Sequence, residues 1–228
     1  MRSQEQRIKR DVLDHLLWDT RIDASDVSVS VSDGEVQLSG TFPTYAARKA
    51  AEKDAMQVRG VTRVIDNTSV QIPAEIQPPS DENILININN LLKWSASIAI
   101  ADVDVSVHRG IVTLRGAVDM YWKKHQAEEL AYEVVGVAGV QNQLVVTPAR
   151  TQVDRSIAQD ISETLLRSGQ IDLEDIDIVV EEAIVTLRGR VPDGVTMYKI
   201  LYAAEYTRGV VGVVNELEVD QSMVVRSD

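Results

Sequence analysis

Apolar residues step along the chain by four at Ile8, Val12 and Leu16, again at Ile84, Ile88 and Leu92, and again at Ile157, Ile161 and Leu165. A four-residue step lays one apolar stripe along a helix, so each set predicts an amphipathic helix. Each helix is followed by strict alternation: Val27, Val29, Val31; Val103, Val105, Val107; Ile176, Ile178, Val180. That period of two predicts a half-buried strand. A tight turn follows at Asp33-Gly34, Arg109-Gly110 or Glu182-Ala183, then a second strand with Val36-Leu38, Val112-Leu114 or Val185-Leu187 on the matching face. The next segment is helical and rich in small residues (Ala47, Ala50, Ala51, Ala55; Ala127, Ala131; Ala203, Ala204), which lets a helix sit close to a sheet. It ends at Gly60, Gly136 or Gly209, suited to a left-handed helix cap, and leads into a third strand reading "QNQLVV" or "VNELEV" in the last two copies.

The chain is therefore one unit written three times, each predicted as helix, strand, strand, helix, strand. The landmarks keep constant offsets of 76 and 73 residues: Ile8, Ile84, Ile157; Gly40, Gly116, Gly189; Gly60, Gly136, Gly209. Such regularity is the signature of a repeat architecture. The predicted domains are 1–73, 82–148 and 153–222, joined by a Pro-rich linker at 74–81 and a short one at 149–152, with a tail at 223–228. The longer first join predicts that units two and three pack more intimately than units one and two.

Charge narrows the partners. The 228 residues carry a formal net charge of -12 with no cysteine. Ten Lys and Arg face twelve Asp and Glu over residues 1–76, five face eight over 77–149, and eight face fifteen over 150–228, so the negative field concentrates in the third unit. Nucleic-acid binding needs a basic footprint to neutralise phosphates, and this chain has the opposite field. Simple attraction to an anionic membrane is disfavoured for the same reason. No run of apolar residues is long enough to predict a membrane span. The start lacks an apolar core before a small-residue cleavage site, so a cytoplasmic location is expected, or a periplasmic one if a signal peptide has been removed.

The ordered residues resemble the BON domain family, a bacterial module of osmotically induced and nodulation-related proteins. The likeness rests on G-x-V-x-L-x-G, an alanine-bearing helix, then G-V-x-x-V-x-N-x-L-x-V. In the second copy these are Gly110, Val112, Leu114, Gly116, Ala127, Ala131, Gly136, Val137, Val140, Asn142, Leu144 and Val146. In the third they are Val185, Leu187, Gly189, Ala204, Gly209, Val210, Val213, Asn215, Leu217 and Val219, with Ala183 in place of the first glycine. The first copy departs further, with Asp66 and Thr68 at the Asn and Leu positions. The resemblance implies an α+β fold, an α/β sandwich in which two helices pack on one face of a three-stranded mixed sheet, with no catalytic activity and no cofactor. It also implies a phospholipid or protein partner in osmotic or envelope stress homeostasis, or alternatively potassium-ion binding.

The glycines have a structural reading. They flank a strand, and no Lys-Ser or Lys-Thr follows as a phosphate loop would require. Gly34 and Gly110 suit a hairpin position with positive φ, whereas Ala183 predicts a different turn in the third copy. Gly40, Gly116 and Gly189 are expected to admit a close-packed helix. The "GVAG" and "GVVG" tetrads lead from a helix into a strand, unlike the basic clamp between helices that grips a nucleic-acid backbone. Asn142, Asn215 and Asp66 fall on the apolar parity of the last strand, which predicts an amide stapling the strand to a loop, or else a buried ligand contact. His15, His108 and His125 occupy unrelated repeat positions and have no ligand spacing, and "DLEDID" (172–177) lacks a calcium-loop pattern. The candidate interaction residues are aromatic. Trp18 and Trp94 share one repeat position, at the end of the first helix, and Tyr45 and Tyr121 share another, with Trp122 beside the latter. Such a set either fills contacts between units or forms an apolar rim for a partner or lipid surface.

Overall fold

The computed structural model describes residues 2–73, 76–95, 103–148, 153–167, 171, 173 and 175–220. The linker at 149–152, the tail at 223–228 and part of the acidic run at 172–177 lie outside them. Unit one contains α1 (Arg2–Trp18), β1 (Val27–Ser32), β2 (Glu35–Phe42), α2 (Tyr45–Gln57) and β3 (Arg63–Val70). Unit two contains α3 (Asp81–Trp94), β4 (Val103–His108), β5 (Ile111–Val118), α4 (Tyr121–Tyr132) and β6 (Gly139–Val146). Unit three contains α5 (Asp154–Arg167), β7 (Ile176–Glu181), β8 (Ile184–Val191), α6 (Gly194–Tyr206) and β9 (Gly212–Val219).

Each sheet places the second strand in the middle, paired antiparallel with the first through the hairpin and parallel with the third. The parallel pair needs a crossover, which the second helix supplies. Both helices of a unit cover the same sheet, and three separate cores result. The helical stripes seen in the sequence face these cores: Ile8, Val12 and Leu16; Ile84, Ile88 and Leu92; Ile157, Ile161 and Leu165 are all buried. The sandwich is the one the resemblance implies.

Three local expectations are corrected. The third hairpin does not change its turn. Glu182 and Ala183 have φ of 51° and 62°, matching Arg109 and Gly110 at 51° and 74°, so alanine occupies the same left-handed position. Asp154 holds it there, its carboxylate accepting from the amides of Glu182 (3.0 Å) and Ala183 (2.9 Å), as Asp81 does for Arg109 (2.7 Å) and Gly110 (2.9 Å). Nor do the later glycines make room for a helix. A Cβ at Gly40 or Gly189 would run into the carbonyl of Asp26 or Asp175, at the entry to the edge strand. That carbonyl accepts from Thr41 or Arg190 one residue beyond the glycine. Finally, the strand staple reaches a helix. The Asn142 amide donates to Lys124 O (2.8 Å) and Glu128 Oε2 (3.1 Å) on α4, and its Oδ1 accepts from Leu144 N (3.2 Å).

The three second helices form a closed triangle, head to tail. The first turns of one helix meet the last turns of the next at equivalent repeat positions. Tyr45 packs edge-on against Tyr132, ring centres 6.0 Å apart. Trp122 stacks on Tyr206 at 5.7 Å, and His125 approaches Glu205 at 3.5 Å. Tyr198 accepts from Lys53 Nζ at 3.3 Å, which closes unit three onto unit one. At the corner position, Tyr45 enters the core of unit two and Tyr121 that of unit three. The third copy has Gly194 there, and its bare backbone lies against Met56. Units two and three do pack directly through α4 and α6; unit one packs on unit three as well, through α2 and α6, a contact that the linkers do not announce.

Candidate functional site

The five aromatics singled out in the sequence divide into two groups. Trp18 and Trp94 close α1 and α3 with their rings in solvent, 85% and 88% exposed. Leu17 at the end of α1, Leu91 on α3 and Leu166 at the end of α5 are exposed as well. Because the triangle relates the units by an approximate threefold rotation, equivalent positions lie at one height along its axis. Trp18, Trp94 and Arg167 therefore lie at one height along that axis. Tyr45, Tyr121 and Trp122 lie instead in the junctions between units.

Several perturbed titrations fall at the junctions. Burial raises the Glu205 carboxyl above its ordinary value, partly offset by His125, while Glu129 adds to the rise. Tyr121 is raised by burial, partly offset by its hydrogen bond with the Val213 backbone. The Tyr132 phenol is pushed up to about 12 by burial and the carboxylates of Glu129, Glu133 and Glu128. At Asp66 burial works upward, but hydrogen bonds from the Thr68 side chain and amide, with Arg48 at 2.7 Å, outweigh it and leave the carboxyl below its ordinary range. Arg48, Lys124 and Met197 are equivalent positions, and each second helix thus engages the polar residue of the third strand in its own way. The protein itself occupies every polar atom of Asn142, so that residue offers nothing to a ligand.

Two features escaped the sequence reading. Tyr198, Tyr202 and Tyr206 recur every four residues on α6 and form a column with Trp122, Tyr202 and Tyr206 stacking at 4.0 Å. Their spacing was a legible signal for one helix face. The second is the basic flank of α2, where Lys49 and Lys53 border two hollows at the junctions. Nothing in the periodicity indicates that surface, because it exists only once the units meet. Among the described residues no group of three or more His, Asp or Glu side chains is placed to hold a metal, and no helix is long and apolar enough to cross a membrane.

Comparison with known proteins agrees with this architecture. Residues 4–72, 80–148 and 153–221 each match the model of the BON domain. A relative described as osmotically-inducible protein Y of Escherichia coli (strain K12) is 30% identical over 141 residues, covering 60% of this chain and 68% of the relative. Two solved structures of CdsD, described as a structural protein of the type III secretion system of Chlamydia trachomatis, align at 14% identity with a TM-score of 0.25. One covers 92% of this chain and 95% of that chain, the other 95% and 94%. A TM-score that low carries no inference about arrangement.

Proposed function

The chain belongs to the BON domain family, as three tandem non-catalytic copies, and from that premise we propose that it is a peripheral phospholipid-surface protein serving osmotic or envelope stress homeostasis. The observation that carries the reading is the pair of tryptophans exposed at equivalent positions of the repeat. Tryptophan has an apolar body and a polar N–H, which suits it to the boundary between headgroups and acyl chains. The relative's description as osmotically inducible supports the stress context.

Insertion rather than charge drives the contact. At a net charge of -12 the chain gains nothing from an anionic surface at long range, so binding depends on buried apolar area. Burying a large apolar side chain contributes roughly 1.5–3 kcal/mol, so two tryptophans set the affinity.

Vesicle flotation tests this directly. Binding to phospholipid vesicles is expected to persist when salt rises from low to moderate, and to fall by at least about 100-fold for Trp18→Ser with Trp94→Ser, with melting unchanged. Vesicle binding that ignores this double substitution would remove the tryptophans from the reading. Absence of binding to any composition would leave a protein partner, or potassium-specific stabilisation, to be pursued instead.

A further inference from the structure

We propose that the flank of α2 holds one phospholipid molecule of the phosphoethanolamine type, with its phosphate on Lys49 and Lys53, its ammonium on α4 and part of one acyl chain between α2 and α6. The proposal rests on the phospholipid reading above but concerns a different surface, at the junctions of the ring.

Two hollows adjoin along α2. The one between α2 and α6 has a volume of about 240 Å³ and is walled by Met56, Met197, Leu201 and the Tyr198 ring. The one between α2 and α4 is a groove of about 510 Å³. Lys49 and Lys53 line both, with Glu52 beside them at the slot, so an apolar slot and a polar groove share a ridge with two cations and one carboxylate. An amphiphile has the same order of parts.

The apolar slot suits a flexible chain, since methionine side chains adapt to irregular shapes. It is smaller than the roughly 300–1,000 Å³ of pockets that enclose a whole small ligand, so it takes only a segment of chain. The ridge suits phosphate. Lys49 is held by Glu52 at 3.0 Å, and Lys53 sits 4.5 Å above the Tyr198 ring, so both ammonium groups are positioned at the rim. Arg21 also lines the groove from unit one, but its guanidinium is already paired with Asp19 at 2.5 Å, which leaves the phosphate to the two lysines.

The opposite wall selects the headgroup. Unit two contributes Glu129 and Glu133, which repel a purely anionic head and attract an ammonium. A primary ammonium can also donate its N–H groups to those two carboxylates, and charge-assisted hydrogen bonds of that kind are the strong ones. A quaternary ammonium has no N–H to give. The wall therefore favours ethanolamine over choline, and both over an uncharged glycerol head.

Calorimetric titration with dihexanoyl phosphatidylethanolamine below its micelle concentration tests the site without a membrane. Saturable one-to-one binding is expected, at least tenfold tighter than for the phosphatidylcholine or phosphatidylglycerol of the same chains. Free phosphoethanolamine is expected to bind at least tenfold more weakly than the lipid, because it leaves the apolar slot empty. Lys49→Glu with Lys53→Glu should abolish binding, and Glu129→Gln with Glu133→Gln should erase the preference over phosphatidylglycerol, with unaltered melting showing that each variant folds. No saturable binding, equal binding of the three lipids, or indifference to the Glu129/Glu133 pair would overturn the proposal. Flotation of the Trp18/Trp94 variant separates the two readings. Vesicle binding without monomer binding leaves the membrane reading and removes this site, and the opposite result keeps this site and removes the membrane reading.

Discussion

Substituting Gly194 by alanine tests whether the ring is closed. Gly194 is the first residue of α6, where alanine is the better helix former by up to about 1 kcal/mol. Judged on the helix alone, the substitution stabilises. The junction with unit one says otherwise: the new Cβ would fall well under 3.0 Å from the Met56 carbonyl oxygen, with Met56 C at 3.0 Å and Met56 Cγ at 3.1 Å. A backbone carbonyl near the end of α2 cannot rotate away as a side-chain tip can, so the two helices must separate. Overpacking of this kind costs about 1–3 kcal/mol. Even after the helical gain, a net loss of about 1–2 kcal/mol is expected, and a melting temperature lower by roughly 2–8 °C for a chain of this size. Small-angle scattering should show an increased radius of gyration as the Lys53–Tyr198 contact opens. Gly194→Ser should behave likewise, which separates the steric argument from any special property of alanine. A melting temperature that stays level or rises, with unchanged scattering, would refute the closed triangle and with it the common height of Trp18 and Trp94.

Four further outcomes are open to measurement. Ala183→Gly should raise stability by about 0.5–1 kcal/mol in denaturant unfolding, because it relieves a left-handed alanine that costs about 1–2 kcal/mol, less the entropy that glycine gives up. Gly110→Ala should do the reverse and more, since its Cβ would lie 2.8 Å from the Gly136 carbonyl. Glu205→Gln should raise the melting temperature at pH 7 and leave it nearly unchanged at pH 4. The folded-state pKa of Glu205 is raised, so its contribution is full below the unfolded value near 4.5 and is lost as pH climbs through the folded one. Asn142→Leu should lose about 1–3 kcal/mol by stranding the Leu144 amide and breaking the tie to α4, while vesicle binding stays at the wild-type level.

The repeat, its element order and its helix-facing residues follow from local periodicity, which is why Ile8, Val36 and their equivalents were legible in the chain and are buried in the fold. Local reasoning went wrong where a second segment overrules an intrinsic preference. Ala183 disfavours a left-handed turn, yet Asp154, 29 residues earlier, accepts from both turn amides and fixes the conformation. Gly40 sits on the apolar parity of its strand, but the carbonyl it admits belongs to Asp26 beside it in the sheet. The candidate site divides the same way. The exposure of Trp18 and Trp94 was a legible alternative, because a large apolar residue at a helix end without a partner in its own unit stands out.

By itself the sequence determined three copies of one α+β unit, since hydrophobic period and glycine position act within about 70 residues. Only the tertiary structure decided that the copies close into a ring, because that depends on which side chains meet across units. Tyr45 finds Tyr132, Tyr121 finds the Val213 backbone, and Gly194 leaves room for Met56. Those contacts join residues 87, 92 and 138 positions apart, and no local pattern encodes them. The paired hollows beside Lys49 and Lys53 exist for the same reason: they are the space left between helices whose approach is set by their neighbours.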